Sequence, residues 1–172
     1  MRRIVGSLMA LALIFATGCS DSEDAAGEGA VVQARSLPAI WADVLVQRDH
    51  VQAATSKGTD MWHEDCAAVS AATAKLDELA VEMLQRVGVM PSVADRRLGI
   101  QNLIGNYQGL LAKMRSDAID EMVGTMPTLM ISLDSFLRGI EGHFTPEEIG
   151  SESVASRPGF KTIQPPPPPS PI

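Results

Sequence analysis

The stretch WHEDCAAVSAATAKLDELAVEMLQRV, residues 62–87, decides the fold class. Within it Trp62, Cys66, Val69, Thr73, Leu76, Ala80, Met83 and Val87 follow one another at steps of four and three. That spacing tracks the 3.6-residue helical turn, so these side chains share one stripe that needs a partner to cover it. Gly88 is expected to stop the helix, and Pro91 to mark the turn that follows.

Three further segments carry the same period. Upstream, Ser36 is an N-cap candidate with Pro38 in the first turn. Leu37, Ile40, Val44, Val51 and Ala54 form the stripe behind it, and Gly58 closes the segment. Downstream, Ser92 and Asp95 have the spacing of a capping box, with Asp in place of Glu. Ile100, Ile104, Tyr107, Leu111, Met114 and Ala118 make the third inner face, which ends near Gly124. Thr125 and Pro127 restart the chain, and Met126, Leu129, Leu133, Phe136 and Ile140 form the fourth face. No run of β-branched residues alternates with period two, so the chain is expected to be all-α. Short connections between neighbours predict an up-down-up-down four-helix bundle over residues 36–149. The alternative is one long antiparallel helical hairpin, kinked near Gly58 and Gly124. The polar stretch from Ala54 to Asp60 and the restart at Met126-Pro127 favour the bundle.

Both flanks differ from this body. Met1-Arg2-Arg3 precedes an apolar run from Ile4 to Ala16, so residues 1–18 have the form of an export signal. The run is too short for a membrane span of about 20 residues. Ala16-Thr17-Gly18-Cys19 resembles the lipobox of bacterial lipoproteins, with Ala16 where that class usually carries Leu. The resemblance is confined to the first twenty residues. It implies cleavage before Cys19, diacylglycerol on the Cys19 thiol, and a lipid-anchored place in the bacterial cell envelope. Ser20, rather than Asp, follows the cysteine, which by the same analogy favours the periplasmic face of an outer membrane in a Gram-negative host. Residues 19–35 are acidic and small and are expected to act as a flexible linker. Residues 150–172, with Pro165 to Pro169 in one run, are expected to be a disordered proline-rich tail.

Charge narrows the function classes. Removing residues 1–18 takes Arg2 and Arg3 away and leaves 12 basic against 21 acidic residues, a net charge of −9. Nucleic acid is therefore not an expected partner, because counterion release on phosphates needs a basic face. The densest group of metal-ligand types is His63-Glu64-Asp65-Cys66, with His63 and Cys66 three apart on one helix. An up-down bundle brings His50, Met61, Met122, Met126 and Met130 to the same end. Imidazole, thiolate and thioether together would suit copper, although Cys66 on an apolar stripe also reads as a small hydrophobe and methionine as core filler. A noncovalent haem would draw on Met61, His50 or His143, and no Cys-x-x-Cys-His is present to attach one covalently. Gly105 and Gly109 fall opposite Tyr107 on an outer face with Ala112 and Ser116, where a second helix could approach closely, although the spacing has meaning mainly inside membranes and the pair reads first as a weak point in the helix. Nucleophile elbow, phosphate loop and two-histidine zinc motifs are missing, and pairs such as Asp77-Glu78 and Asp120-Glu121 read as solvated faces. The expectation is a non-enzymatic, cofactor-free envelope lipoprotein whose bundle binds another envelope protein or itself. The alternative is a periplasmic copper- or haem-binding bundle.

Overall fold

A computed structural model of the chain describes residues 35–161. The expected signal, Cys19, nearly all of the linker and the proline run lie outside the described residues.

Four long helices pack in sequence: α1 (Leu37–Thr55), α2 (His63–Val89), α3 (Arg97–Ile119) and α4 (Met126–Glu141), followed by one turn of helix, α5 (Pro146–Ile149). There is no strand among the described residues. Each long helix lies against the next, so the architecture is an all-α bundle rather than a kinked hairpin. Polar contacts fix the antiparallel registers: Arg35 near the start of α1 reaches Glu82 late in α2, and Gln108 of α3 donates to Asp77 of α2. Gly58 turns the chain rather than kinking it, with φ +61° in a short 3-10 turn.

The stripes read from the sequence form the core. From Cys66 to Val87 every member of the α2 stripe is buried, and so are all named members of the α1 and α3 stripes. Trp62 departs from its stripe, with 74% of its surface exposed. It is the N-cap of α2 with extended backbone, so helical periodicity does not set its direction. In α4 the expected Met126, Leu129, Leu133 and Ile140 are buried together with Met130 and Leu137, whereas Phe136 is only half-buried.

Ser36 caps α1 as expected, its hydroxyl accepting from the N–H of Ala39. The box expected at Ser92 and Asp95 does not form. Pro91–Val93 makes a 3-10 turn and α3 begins only at Arg97, without a side-chain cap. Arg97 instead reaches back, donating to the carbonyls of Val87 and Met90 at the end of α2. Helix ends leave such carbonyls unpaired, and a cationic donor is a favourable partner for them.

The chain does not leave the bundle at Gly150. Helices α1 and α4 meet over few residues, and the segment that follows α5 closes their seam. Ile149 and Val154 are buried, Phe160 packs on the core, and the Trp41 indole donates to the Glu152 carbonyl at 3.1 Å. Residues 150–161, expected to belong to the tail, are therefore part of the packed body, because these apolar residues fill a seam that four helices leave open. Gly159 fits because its φ is +67° and a Cβ there would lie 2.7 Å from the Gln52 side chain.

Beneath this strap lies a buried ion pair. Arg48 and Asp134 have 0% and 1% of their side-chain surface exposed. The guanidinium donates from Nε to Oδ1 at 2.8 Å and from Nη2 to Oδ2 at 2.9 Å. Its Nη1 donates to Asp49 and to the carbonyl of Pro158 on the strap, and the N–H of Lys161 donates to Asp134. Burial works against the Arg48 charge, and Asp134 with Asp49 more than offsets it, so its pKa is raised. Asp134→Ala is expected to cost about 3–5 kcal/mol in urea unfolding, because it leaves a buried guanidinium unpaired. Arg48→Met combined with Asp134→Leu should recover most of that loss.

Candidate functional site

The sequence candidates divide between two ends of the bundle. The turns after α1 and α3 touch each other and form one end, which holds Met61, His63, Cys66, Met122 and Met126. Met61, Met126 and Met130 are buried there as core, and Met122 is half exposed. His50 is exposed on α1 beside Gln47 and does not join the group. His143 lies at the opposite end, where its carbonyl accepts from Arg96. The candidate haem ligands Met61 and His143 are thus at opposite ends. No three His, Cys, Asp or Glu side chains among the described residues cluster as a metal site would require.

His63 and Cys66 do share a feature: an open depression of about 490 Å³ between α2 and α3. Its α2 wall is Ser70 with Ala67, Ala71 and Ala74, the alanines at steps of four and three. This is a second stripe beside the core stripe, made of small side chains where a solvated helix face ordinarily carries long polar ones. Ala118 and Ile119 form the α3 wall, and Ile119 is 69% exposed. His63 and Glu121 close the end, with the imidazole Nδ1 against the Glu121 carboxylate. Glu121 reads in the sequence only as part of a solvated Asp120-Glu121 pair, and Ile119 carries no signal there; the spacing of the alanines is the readable one.

Local chemistry builds this end. Lys57 pairs with Asp65 at 2.7 Å, and Asp65 accepts from the N–H of Trp62, which starts α2. Lys57 and that N–H hold the Asp65 carboxyl below its usual range. Across the groove, Lys113 and the Thr125 hydroxyl do the same for Asp117, so each carboxylate pins one of the two turns.

The end of α3 has an unusual backbone. The N–H of Met122 bonds the carbonyl of Asp117 at 2.8 Å and that of Glu121 bonds Ala118 at 3.3 Å, the paired bonds of a Schellman motif. The left-handed position of that motif favours glycine, yet Glu121 occupies it with φ +54°. It is the only positive-φ residue other than glycine among the described residues.

Cys66 is 5% exposed at the groove floor. Burial, then Glu121 and Asp65, push its thiol pKa above the ordinary value. Gly105 and Gly109 of α3 sit elsewhere: a Cβ at either would meet nothing within 4 Å among the described residues.

Comparison with protein-family models, curated proteins and solved structures finds no match to this chain.

Two outcomes are expected here. Glu121→Gly should stabilise the fold by about 1 kcal/mol, because the left-handed conformation costs an L-residue about 1–2 kcal/mol; thermal unfolding measures it. Iodoacetamide should alkylate Cys66 more slowly than free cysteine at neutral pH. Because the thiol pKa is raised from 9.0, the rate should still climb as pH passes that value; peptide-level mass spectrometry reads it.

Proposed function

We propose that this protein is a lipid-anchored lipoprotein of the bacterial cell envelope, whose helical bundle serves as a non-enzymatic binding module. The observation that carries the reading is Ala16-Thr17-Gly18-Cys19 at the end of a basic-then-apolar leader. Small residues before the cysteine suit a narrow peptidase cleft, and a thiol forms the stable thioether that a lipid anchor needs. Acyl chains contribute about 0.8 kcal/mol per buried methylene, so several chains together hold a protein at a membrane. No helix among the described residues is long and apolar enough to cross one.

The body supports a binding role through what it leaves open. Its buried charges are committed to structure, as Arg48 and Asp134 are to the strap. Its open groove has an alanine-rich wall and is flanked by exposed large apolar side chains, a composition that suits a protein-binding surface.

Cys19→Ala tests the anchor. The variant is expected to accumulate uncleaved or to fractionate as soluble protein, whereas the native chain takes up radiolabelled palmitate and sediments with membranes. Palmitate incorporation by the variant would overturn the reading.

A further inference from the structure

We infer that the α2–α3 groove is a docking site for a cationic amphipathic helix of a partner protein. The inference rests on the binding-module reading and names its surface.

Shape gives the class of occupant. From His63 to Ala74 the groove follows α2 for about 16 Å at 1.5 Å per residue. That matches three turns of an incoming helix, whose apolar side chains at i, i+4 and i+7 would lie over Ala67, Ala71 and Ala74. Small walls let the two backbones approach closely. Large apolar surface borders the same end: Trp62 is 74% exposed one residue before His63, and Met122 is 48% exposed one residue after Glu121. Exposed tryptophan, methionine and isoleucine at one end of a bundle form a surface of the composition found in interface cores.

Charge gives the sign. Residues 57–65 and 117–126 carry the carboxylates of Asp60, Glu64, Asp65, Asp117, Asp120 and Glu121 against one lysine, Lys57. Lys57 is spent on Asp65, and Asp117 is held by Lys113. Asp60, Glu64 and Asp120 have no ion-pair partner among the described residues. Of the carboxylates named, only Glu121 lines the groove, and the others lie on the two turns and helix ends beside it, so this end of the bundle complements lysine and arginine flanking an apolar stripe. It repels a second copy of this chain, whose corresponding end is equally acidic.

Glu121 holds its carboxylate at the groove end from the left-handed position that the Schellman bonds impose.

The probe is a short synthetic amphipathic helix of leucine and lysine. It is titrated into the purified full chain, held in phosphatidylcholine nanodiscs by its anchor or free in buffer if it carries none. Because either form serves, failure here leaves the anchor reading intact. Trp41 is buried, so an emission change reports Trp62. We expect a saturable blue shift that weakens as salt rises from about 0.05 to 0.5 M. Ile119→Ser and Ala71→Gln, both at exposed positions and without change of charge, should each weaken binding about tenfold. Glu121→Gly should weaken binding while the melting temperature holds or rises, which separates a docking role from a folding one. Val89→Ser and Leu98→Ser, at exposed apolar residues of the opposite end, should bind as the native chain does. Absence of a saturable shift overturns the inference, as does equal binding of a leucine–glutamate helix or of the Ile119→Ser chain. Self-association, or binding to peptide-free vesicles, that is lost on Ile119→Ser gives the groove another occupant and overturns it too.

Discussion

Arg48 and Asp134 set the constraint that the rest of the bundle satisfies. An arginine enters a protein interior only if its N–H groups find acceptors, since a bare buried charge costs several kcal/mol. Here four of its five N–H groups have partners: two on Asp134, one on Asp49 and one on the Pro158 carbonyl. Two helices alone do not supply that set. Residues 150–161 must lie across the α1–α4 seam to deliver the Pro158 carbonyl and the Lys161 N–H. The strap is therefore part of the fold. Gly159 against Gln52, Val154 in the core and Trp41 donating to Glu152 all follow from its having to run along that line.

How far this was legible in the sequence depends on whether a signal is local or needs a partner. The α2 stripe is local, and from Cys66 to Val87 it reads correctly because one repeated spacing names both the helix and its buried face. Ser36 with Pro38 is local too. The Ser92–Asp95 spacing is equally local, yet it fails because Arg97 supplies a better arrangement by bonding the end of α2, a contact no one-segment pattern contains. Arg48 and Asp134 show the same limit from the other side. Arg48 sits in phase with Val44 and Val51, and Asp134 with Met130 and Leu137, so each is a charged residue on an apolar stripe. Singly each looks like a defect. Only their opposite signs on helices that later meet make them a pair, and the tail then looks disposable although it completes their hydrogen bonds.

The groove was hidden for a different reason. Alanine is the strongest helix former, so Ala67, Ala71 and Ala74 read first as propensity and only second as a face. Their meaning comes from α3, whose Ile119 projects beside them instead of folding over them. Glu121 carries no sequence signal at all. Nothing in Asp120-Glu121-Met122 announces a left-handed residue, which Asn or Gly would have done. The Schellman bonds impose it once the α3–α4 turn is closed by Asp117 and Thr125.

Seam and groove make opposite uses of the same bundle. At the α1–α4 seam the chain spends its own C-terminal segment to cover apolar surface and to satisfy a buried charge, which fixes those helices in one arrangement. At the α2–α3 groove no described segment lies over the apolar wall. The small alanines leave space, the surrounding carboxylates keep the surface soluble, and Met61, Met126 and Met130 are buried at that end of the core. Methionine is unbranched and readily changes rotamer, so a core end built from it can shift by fractions of an ångström without losing its packing. The clamped seam thus gives the bundle its definition, and the methionine-rich end leaves the groove free to adjust to what enters it. Docking of a helix, as inferred above, would draw on that division, because rigidity throughout would demand a perfect fit and softness throughout would cost the fold.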